Sequence, residues 1–158
     1  MARIIANKKT EVVFITPVPA DLEAIDENDI NGGVRLTQFM TSFDNATEGN
    51  EVDTPDFSTD FETSIPGTYS ATVSAEFYRD DDDDLAWETL QRGVDGVFCI
   101  MRFGTEEGDP MEVYPIRVTS RSPVALANNE SQRFNMEAAV PDPPLEDEDV
   151  PAGVDLTA

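Results

Sequence analysis

The clearest pattern in the chain is an alternation of apolar and polar positions between Gly67 and Arg79. Successive residues of an extended strand point to opposite faces, so a period of two separates an apolar face from a polar one. The apolar positions are Tyr69, Ala71, Val73, Ala75 and Phe77. The segment is therefore predicted to be a strand that packs one face on a core and turns the other to water or to a partner.

Other segments rich in β-branched and aromatic residues also predict strands. They are residues 11–16, 34–42, 57–63, 97–103, 111–120 and 132–138. Residues 97–103 are apolar on both faces as far as Arg102, which predicts a central strand covered on both sides. The segment 104–109 contains two glycines and predicts a hairpin turn between this strand and the next.

Two segments predict helices. Residues 20–26 place Leu22 and Ile25 three positions apart, and the glycines that follow Asn31 are expected to end this element. Residues 83–92 predict the main helix, because aspartates lie at its start and a glycine follows its end. Trp87 in this helix is interpreted as a core residue, with a binding hot spot as the alternative.

Two polar segments interrupt this pattern. Residues 43–56 are acidic and have no periodicity, which predicts a long loop between strands 34–42 and 57–63. Residues 141–158 are rich in proline and acids, which predicts an extended arm with a mildly apolar tip. The resulting organisation is an N-terminal arm (1–8), a β domain (9–140) and an acidic C-terminal arm (141–158).

The charge balance narrows the functions that the chain can have. Among 158 residues, 10 are basic and 33 are acidic, which gives a formal net charge of −23. Such a charge repels nucleic acid and anionic membranes, so DNA binding by phosphate neutralisation is excluded as the main function. A protein adapted to high salt would show the same balance. No apolar stretch reaches the ~18 residues of a membrane span, and we expect synthesis in a cytoplasm without a secretory signal.

The residues offer little catalytic chemistry. Histidine is absent, which removes the commonest general base and metal ligand. Cys99 lies in an apolar run and is expected to be a small buried hydrophobe. We find no phosphate-binding loop and no nucleophile elbow, and therefore expect neither an enzyme nor a cofactor. The aspartate run is interpreted as a solvated helix start, with a weak divalent-cation site at Asp80, Asp82 and Asp84 as the alternative.

Four segments, together with the order of the elements, resemble the major tail proteins (tail tube proteins) of long-tailed bacteriophages and related archaeal tailed viruses. These segments are 34–37, 60–68, 76–87 and 127–134. The likeness extends over most of residues 9–140. It implies a mainly β fold of the tail-tube type, a two-sheet β-sandwich or barrel with one flanking helix.

The resemblance also implies a structural role in the virion tail. Six copies would close into a ring, and rings would stack into a tube that delivers DNA without binding it tightly. The partners would be other copies of the chain and, at the tube ends, other tail proteins. An acidic lining would let DNA slide, and the large charge predicts that assembly weakens at low ionic strength.

Three sets of residues are expected to serve this assembly. The inter-ring contact loop would use Asp44, Asn45, Glu48, Asn50, Glu51 and Asp53. The lumen would be lined by Arg35, Thr37, Asp60 and Glu62. The C-terminal arm would dock on a neighbouring subunit through Val150, Val154 and Leu156.

Two other interpretations stay open at this point. The first is a capsid decoration or baseplate β-sandwich protein, which would behave as a trimer or a monomer. The second is a soluble, halophile-adapted ligand-binding domain, in which segment 43–56 would be the ligand loop.

Overall fold

The structure, a computed structural model, describes residues 10–54 and 64–156, and in this part the chain is mainly β, as predicted. The strands are β1 (Glu11–Ile15), β2 (Val34–Arg35), β3 (Met40–Asp53), β4 (Ser64–Tyr78), β5 (Asp95–Met101), β6 (Pro110–Pro123), β7 (Arg133–Ala139) and β8 (Leu145–Asp149). The helical elements are a 3₁₀ turn (Leu22–Ala24), α1 (Glu27–Asn31) and α2 (Leu85–Thr89). None of the described helices is long and apolar enough to cross a membrane.

The strands form one antiparallel sheet in the order β2-β1-β5-β6-β7-β4-β3, with β8 beside β6. This sheet is rolled up, because the ring of Phe98 on β5 lies 5.8 Å from that of Phe43 on β3 and 6.5 Å from that of Phe77 on β4. Strand β6 has 14 residues and pairs with β5 in its first half and with β7 in its second half. A single long strand therefore belongs to both halves of the sheet; the prediction was a two-sheet β-sandwich or barrel.

Strand β5 lies between two hydrophobic cores. Phe98 and Ile100 point into the core inside the rolled sheet. Val97, Cys99 and Met101 point into a second core on the outside, which α1 and the C-terminal segment cover. Burial of the strand from residue 96 to residue 101 confirms the predicted central strand with two covered faces.

The helices differ from the sequence-based expectation in place and length. α1 starts only at Glu27, because the carboxylate of Asp26 accepts a bond from the N–H of Asp29 and the reverse bond is also made. Within the predicted helix 20–26 only the 3₁₀ turn Leu22–Ala24 forms, whereas α1 ends at the glycine pair as expected. α2 is shorter than the predicted 83–92, and Trp87 packs edge-on against Phe134 at 5.1 Å, which ties α2 to the sheet.

Residues 43–53 belong to strand β3, so the predicted loop 43–56 is wrong over this part. β3 and β4 pair from Met40 to Asp53, and beyond the core both strands are exposed on both faces. Their backbone groups bond to each other, so the polar sequence can be extended without a core beneath it. We call residues 46–53 and 64–71 the ribbon. The strand predicted at 57–63 lies outside the described residues.

The C-terminal segment is packed rather than extended. β8 pairs with β6, with Leu145 opposite Val113 and Asp149 opposite Pro110. β7 and β8 thus follow each other along one edge of β6, and the proline-rich residues 141–144 separate them because proline cannot donate to a ladder. The prediction of an arm without packing is wrong for residues 145–156, since Val150 is only 1% exposed.

Candidate assembly surfaces

The ribbon carries the residues that were assigned to contact between rings. Asp44 and Asn45 lie at its base, and Glu48, Asn50, Glu51 and Asp53 lie along its β3 strand. Cross-strand bonds stiffen it, since Asn50 donates to Thr68 at 3.1 Å and Ser64 donates to Glu51 at 3.2 Å. The ribbon contains acids and no lysine or arginine. The ribbon is an acidic projection whose side chains do not pack in the hydrophobic core of their own chain.

Two of the strand edges that have no described partner bound the half-sheet β3-β4-β7-β6. The outer edge of β3 pairs with no described strand. On the side away from β7, strand β6 pairs with β5 only as far as Arg117, so residues 119–123 have no described strand beside them. Unpaired N–H and C=O groups along an edge are a template for another strand. The half-sheet β3-β4-β7-β6 therefore offers one open edge on each side.

The outer face of this half-sheet is polar. Ser74 of β4 lies between Asp44 of β3 and Glu137 of β7 in the strand register. A shallow depression of about 230 Å³ in this face is lined in part by Thr72 and Thr119. Hydroxyl and carboxylate groups thus dominate the face opposite the aromatic core.

Positive charge is neutralised locally in the described part of the chain. Five ion pairs are formed, namely Arg35–Glu11, Arg79–Asp84, Arg102–Glu112, Arg117–Asp95 and Arg133–Glu76. The guanidinium of Arg117 lowers the pKa of the Asp95 carboxyl by hydrogen bonding to it. Acids without such a pair therefore determine the sign of the surface potential.

Two of the four predicted lumen residues, Arg35 and Thr37, lie in the described part of the chain, and both contact Glu11. Arg35 binds Glu11 through Nε and Nη2, both at 2.9 Å. Thr37 donates to Glu11 at 2.6 Å and accepts a bond from the N–H of Val12 at 3.0 Å. These contacts fix segment 34–37 to β1, at the end of the strand order opposite β3. Asp60 and Glu62 lie outside the described residues.

The aspartate run forms a turn. Asp80 accepts a bond from the N–H of Asp82 at 2.9 Å, and Asp84 binds Arg79. Within residues 10–54 and 64–156, no three potential ligands converge closely enough to hold a metal ion. Asp84, the last residue of the run, occupies the N-cap position of α2.

An asparagine that the sequence did not single out holds the C-terminal segment. Asn31 donates from Nδ2 to the carbonyl of Gly153 at 3.1 Å and accepts at Oδ1 from the N–H of Asp155 at 2.8 Å. The residues expected to dock on a neighbour pack here against the outer core of their own chain: Val150, Val154 and Leu156. Polar residues at helix ends are common, so the sequence could not predict these two hydrogen bonds, which we call the Asn31 clasp.

Two buried titratable groups are held neutral. Burial raises the pKa of the Cys99 thiol to about 12, so the reactive thiolate is suppressed. Burial also raises the pKa of Tyr114, whose hydroxyl donates to Glu112 at 2.5 Å. Both groups stabilise the fold in their neutral forms.

Solved structures with the same fold come from tail and baseplate assemblies. A tail tube of SPP1 has a TM-score of 0.59 at 10% identity, covering 90% of this chain and 78% of that one. A tail of an empty gene transfer agent particle, refined with C6 symmetry, has a TM-score of 0.57 at 13% identity, covering 88% and 96%. A baseplate of the anti-feeding prophage has a TM-score of 0.56 at 9% identity, covering 92% and 98%.

Sequence comparison agrees with this fold. A search of curated proteins finds no match to the chain. The family model described as "Phage tail tube protein", however, matches residues 1–153 and confirms the resemblance inferred from the sequence. The chain therefore belongs to the phage tail tube protein family, whose members are structural proteins of the virion tail and not enzymes.

Proposed function

We propose that six copies of this chain close into a ring and that the rings stack into the tube through which DNA is delivered. The pair of open edges carries this proposal. Joining β3 of one copy to the second half of β6 of the next extends the half-sheet into a continuous barrel without edges. The C6 symmetry of the similar gene transfer agent tail supports the number six.

The polar outer face of β3-β4-β7-β6 would line the lumen, because its other face is filled by the aromatic core. Thr72, Ser74 and Glu137 then replace Arg35 and Thr37 as the lumen candidates. DNA carries about one negative charge per ~1.7 Å of its axis. The arginines of this face, Arg117 and Arg133, are each paired with an acid, so the lining offers the phosphates few free cations. DNA would slide through such a channel.

The ribbon would connect one ring to the next. It projects beyond the core, is acidic and has half-exposed apolar side chains at its end, which suits a contact with another subunit better than free solution. At the two ends of the tube, the same surfaces would meet other tail proteins.

Electron microscopy and mass measurement of the purified protein test the assembly. Rings with six subunits, or tubes built of them, are the expected result. A protein that stays monomeric across protein concentration and salt concentration contradicts the proposal.

A charge change in the lumen tests the DNA path. Thr72→Lys adds one cation per subunit to the proposed lining and should make tubes retain double-stranded DNA in a low-salt gel-shift assay. Tubes of the unaltered protein and of Leu126→Lys, whose residue is 84% exposed in a loop, should release it. Equal DNA retention by the two lysine variants would contradict the proposal that this face lines the lumen.

A further inference from the structure

Two arginines of the described residues form no ion pair with a described acid, whereas five others do. They are Arg92 and Arg121. The guanidinium of Arg121 lies over the Trp87 ring, 3.6 Å from its centre, and donates to the Trp87 carbonyl. The side chain of Arg92 is exposed. Arg92 is therefore a cation that an acid of another copy can reach.

Both arginines lie at the open edge of β6. Arg121 belongs to residues 119–123, which have no described strand beside them on the side away from β7. Arg92 directly precedes Gly93, whose N–H donates to the carbonyl of Val118 at 2.8 Å. The open edge begins immediately after Val118, so Arg92 stands at the point where this edge begins.

The opposite edge of the same half-sheet is acidic. Strand β3 carries Asp44, Glu48, Glu51 and Asp53. None of these acids forms an ion pair with a lysine or arginine of the described residues. The two edges that the proposed ring joins therefore carry opposite charges, although the whole chain has a net charge of −23.

The strand directions determine how these edges would meet. Three antiparallel pairings separate β3 from β6, so the two strands run in opposite directions. Rotation about a ring axis preserves the direction of every strand along that axis. In a ring, β3 of one copy is therefore antiparallel to β6 of the next, and each junction joins two different edges.

The ends of the two strands limit the register of this junction. Strand β3 begins at Met40, and β6 ends at Pro123. Closing a barrel requires some stagger between its strands. With Pro123 opposite a residue between 40 and 43, the residue opposite Val118 lies between 45 and 48.

The incoming strand would meet an obstacle at this point. Gly93 already occupies the place beside Val118, so the neighbour's β3 has to leave the edge there. Its continuation is the ribbon, which then passes Arg92. Glu48 is the first acid of the ribbon, and its side chain is exposed.

We infer that Arg92 of one copy pairs with Glu48 of the next and that this ion pair selects the junction between β6 and β3. Neither side chain has to give up an ion pair within its own chain. Opposite charges favour the correct encounter, and like charges oppose a wrong one, here β3 against β3. This inference rests on the proposed function, since it names the residues at the junction of its ring.

Single charge reversals test the pair. Arg92→Glu and Glu48→Arg should each raise the protein concentration needed for ring formation at least about tenfold, because each places like charges against each other. Glu48→Arg also reduces the net negative charge, so assembly limited by overall repulsion would become easier instead. Sedimentation and electron microscopy measure ring formation, and the urea midpoint of the monomer checks that both variants fold.

Mixing the two variants provides a sharper test. When Arg92→Glu and Glu48→Arg copies alternate around a ring, one junction keeps the original pair and the next has the same pair reversed. An equimolar mixture should therefore form rings near the concentration that the unaltered protein needs, although neither variant does so alone. Alternation closes only in a ring with an even number of subunits, which the proposed six provides.

Glu107→Arg is the matched control. Glu107 is exposed between β5 and β6, and its replacement changes the net charge by the same amount as Glu48→Arg. This variant should form rings at a concentration within about twofold of the unaltered protein. Mixed with Arg92→Glu, it should not restore that variant's assembly.

The outcomes separate the two proposals. Suppose that the unaltered protein forms rings, but Glu48→Arg assembles as readily, or Glu107→Arg restores the Arg92→Glu variant equally well. The ion pair is then overturned and the ring stands. A chain that forms neither rings nor tubes overturns both.

Discussion

Replacing Val150 by alanine tests whether the C-terminal segment belongs to its own chain or to a neighbour. Val150 is 1% exposed and lies in the outer core. Its N–H donates to the carbonyl of Asp109 at 2.8 Å, and its carbonyl accepts from the N–H of Gly108 at 3.0 Å. The substitution leaves these backbone bonds in place and removes only the buried side-chain methyl groups.

The expected loss follows from the size of the deletion. Two methyl groups at ~0.8 kcal/mol each give about 1.6 kcal/mol of lost burial, and incomplete collapse of the cavity adds to this value. We expect the free energy of unfolding to fall by about 2–3 kcal/mol. In a domain of this size, each kcal/mol lowers the melting temperature by ~2–4 °C, so a fall of roughly 4–12 °C should follow.

The measurement is urea unfolding at a protein concentration at which the chain is monomeric, because assembly would add its own stabilisation. Trp87, the only tryptophan, reports the transition by fluorescence. Val154→Ala is the control, since Val154 is only partly buried and should cost less than about 1 kcal/mol. An unchanged monomer combined with less stable tubes would show that Val150 docks on a neighbour, and the intramolecular docking would be refuted.

Three further substitutions test other contacts. Asn31→Ala removes the clasp on the C-terminal segment and should cost about 1–2 kcal/mol, measured as a shift of the urea midpoint. Trp87→Ala removes the ring between Arg79 and Arg121 and should cost about 2–3 kcal/mol, measured by circular dichroism. Burial raises the pKa of the Cys99 thiol from 9.0 to about 12. Between these two pH values the thiol ionises in the unfolded chain but not in the folded one, so the free energy of unfolding falls as the pH rises above 9. The melting temperature of Cys99→Ala should therefore fall less steeply between pH 8 and pH 11.

The sequence predicted those strands that a core requires. The period of two in 67–79 reports burial only from Val73 to Phe77, because Tyr69 lies in the ribbon and is 56% exposed, and the double-sided apolar run of 97–103 reports burial as far as Met101. The strand at 11–16 was found for the same reason, since Val12 to Ile15 are buried. Where side chains pack against a core, the order of apolar and polar residues along the chain predicts the strand.

The sequence did not predict the ribbon, because its side chains do not pack against a hydrophobic core. A polar strand with two exposed faces has the composition of a loop, and only the partner strand reveals that its backbone is paired. β8 was missed for a related reason: its acidic residues 146–149 pair with β6, more than 30 positions earlier in the chain. Lumen candidates depend on the register of four strands, and one step in register exchanges the faces.

The acidity of the chain has a structural consequence for assembly. Five arginines of the described part are already paired with acids of their own chain, so few cations remain to attract a neighbour. Contacts between copies of the proposed tube would then bring mainly acidic surfaces together. The Debye length grows from ~10 Å at 0.1 M salt to ~30 Å at 0.01 M, so repulsion between rings reaches further as salt is removed. Tubes should therefore dissociate at low ionic strength and reform when salt is added, and assembly favoured by low salt would mean that attractive charge pairs between copies outweigh this repulsion.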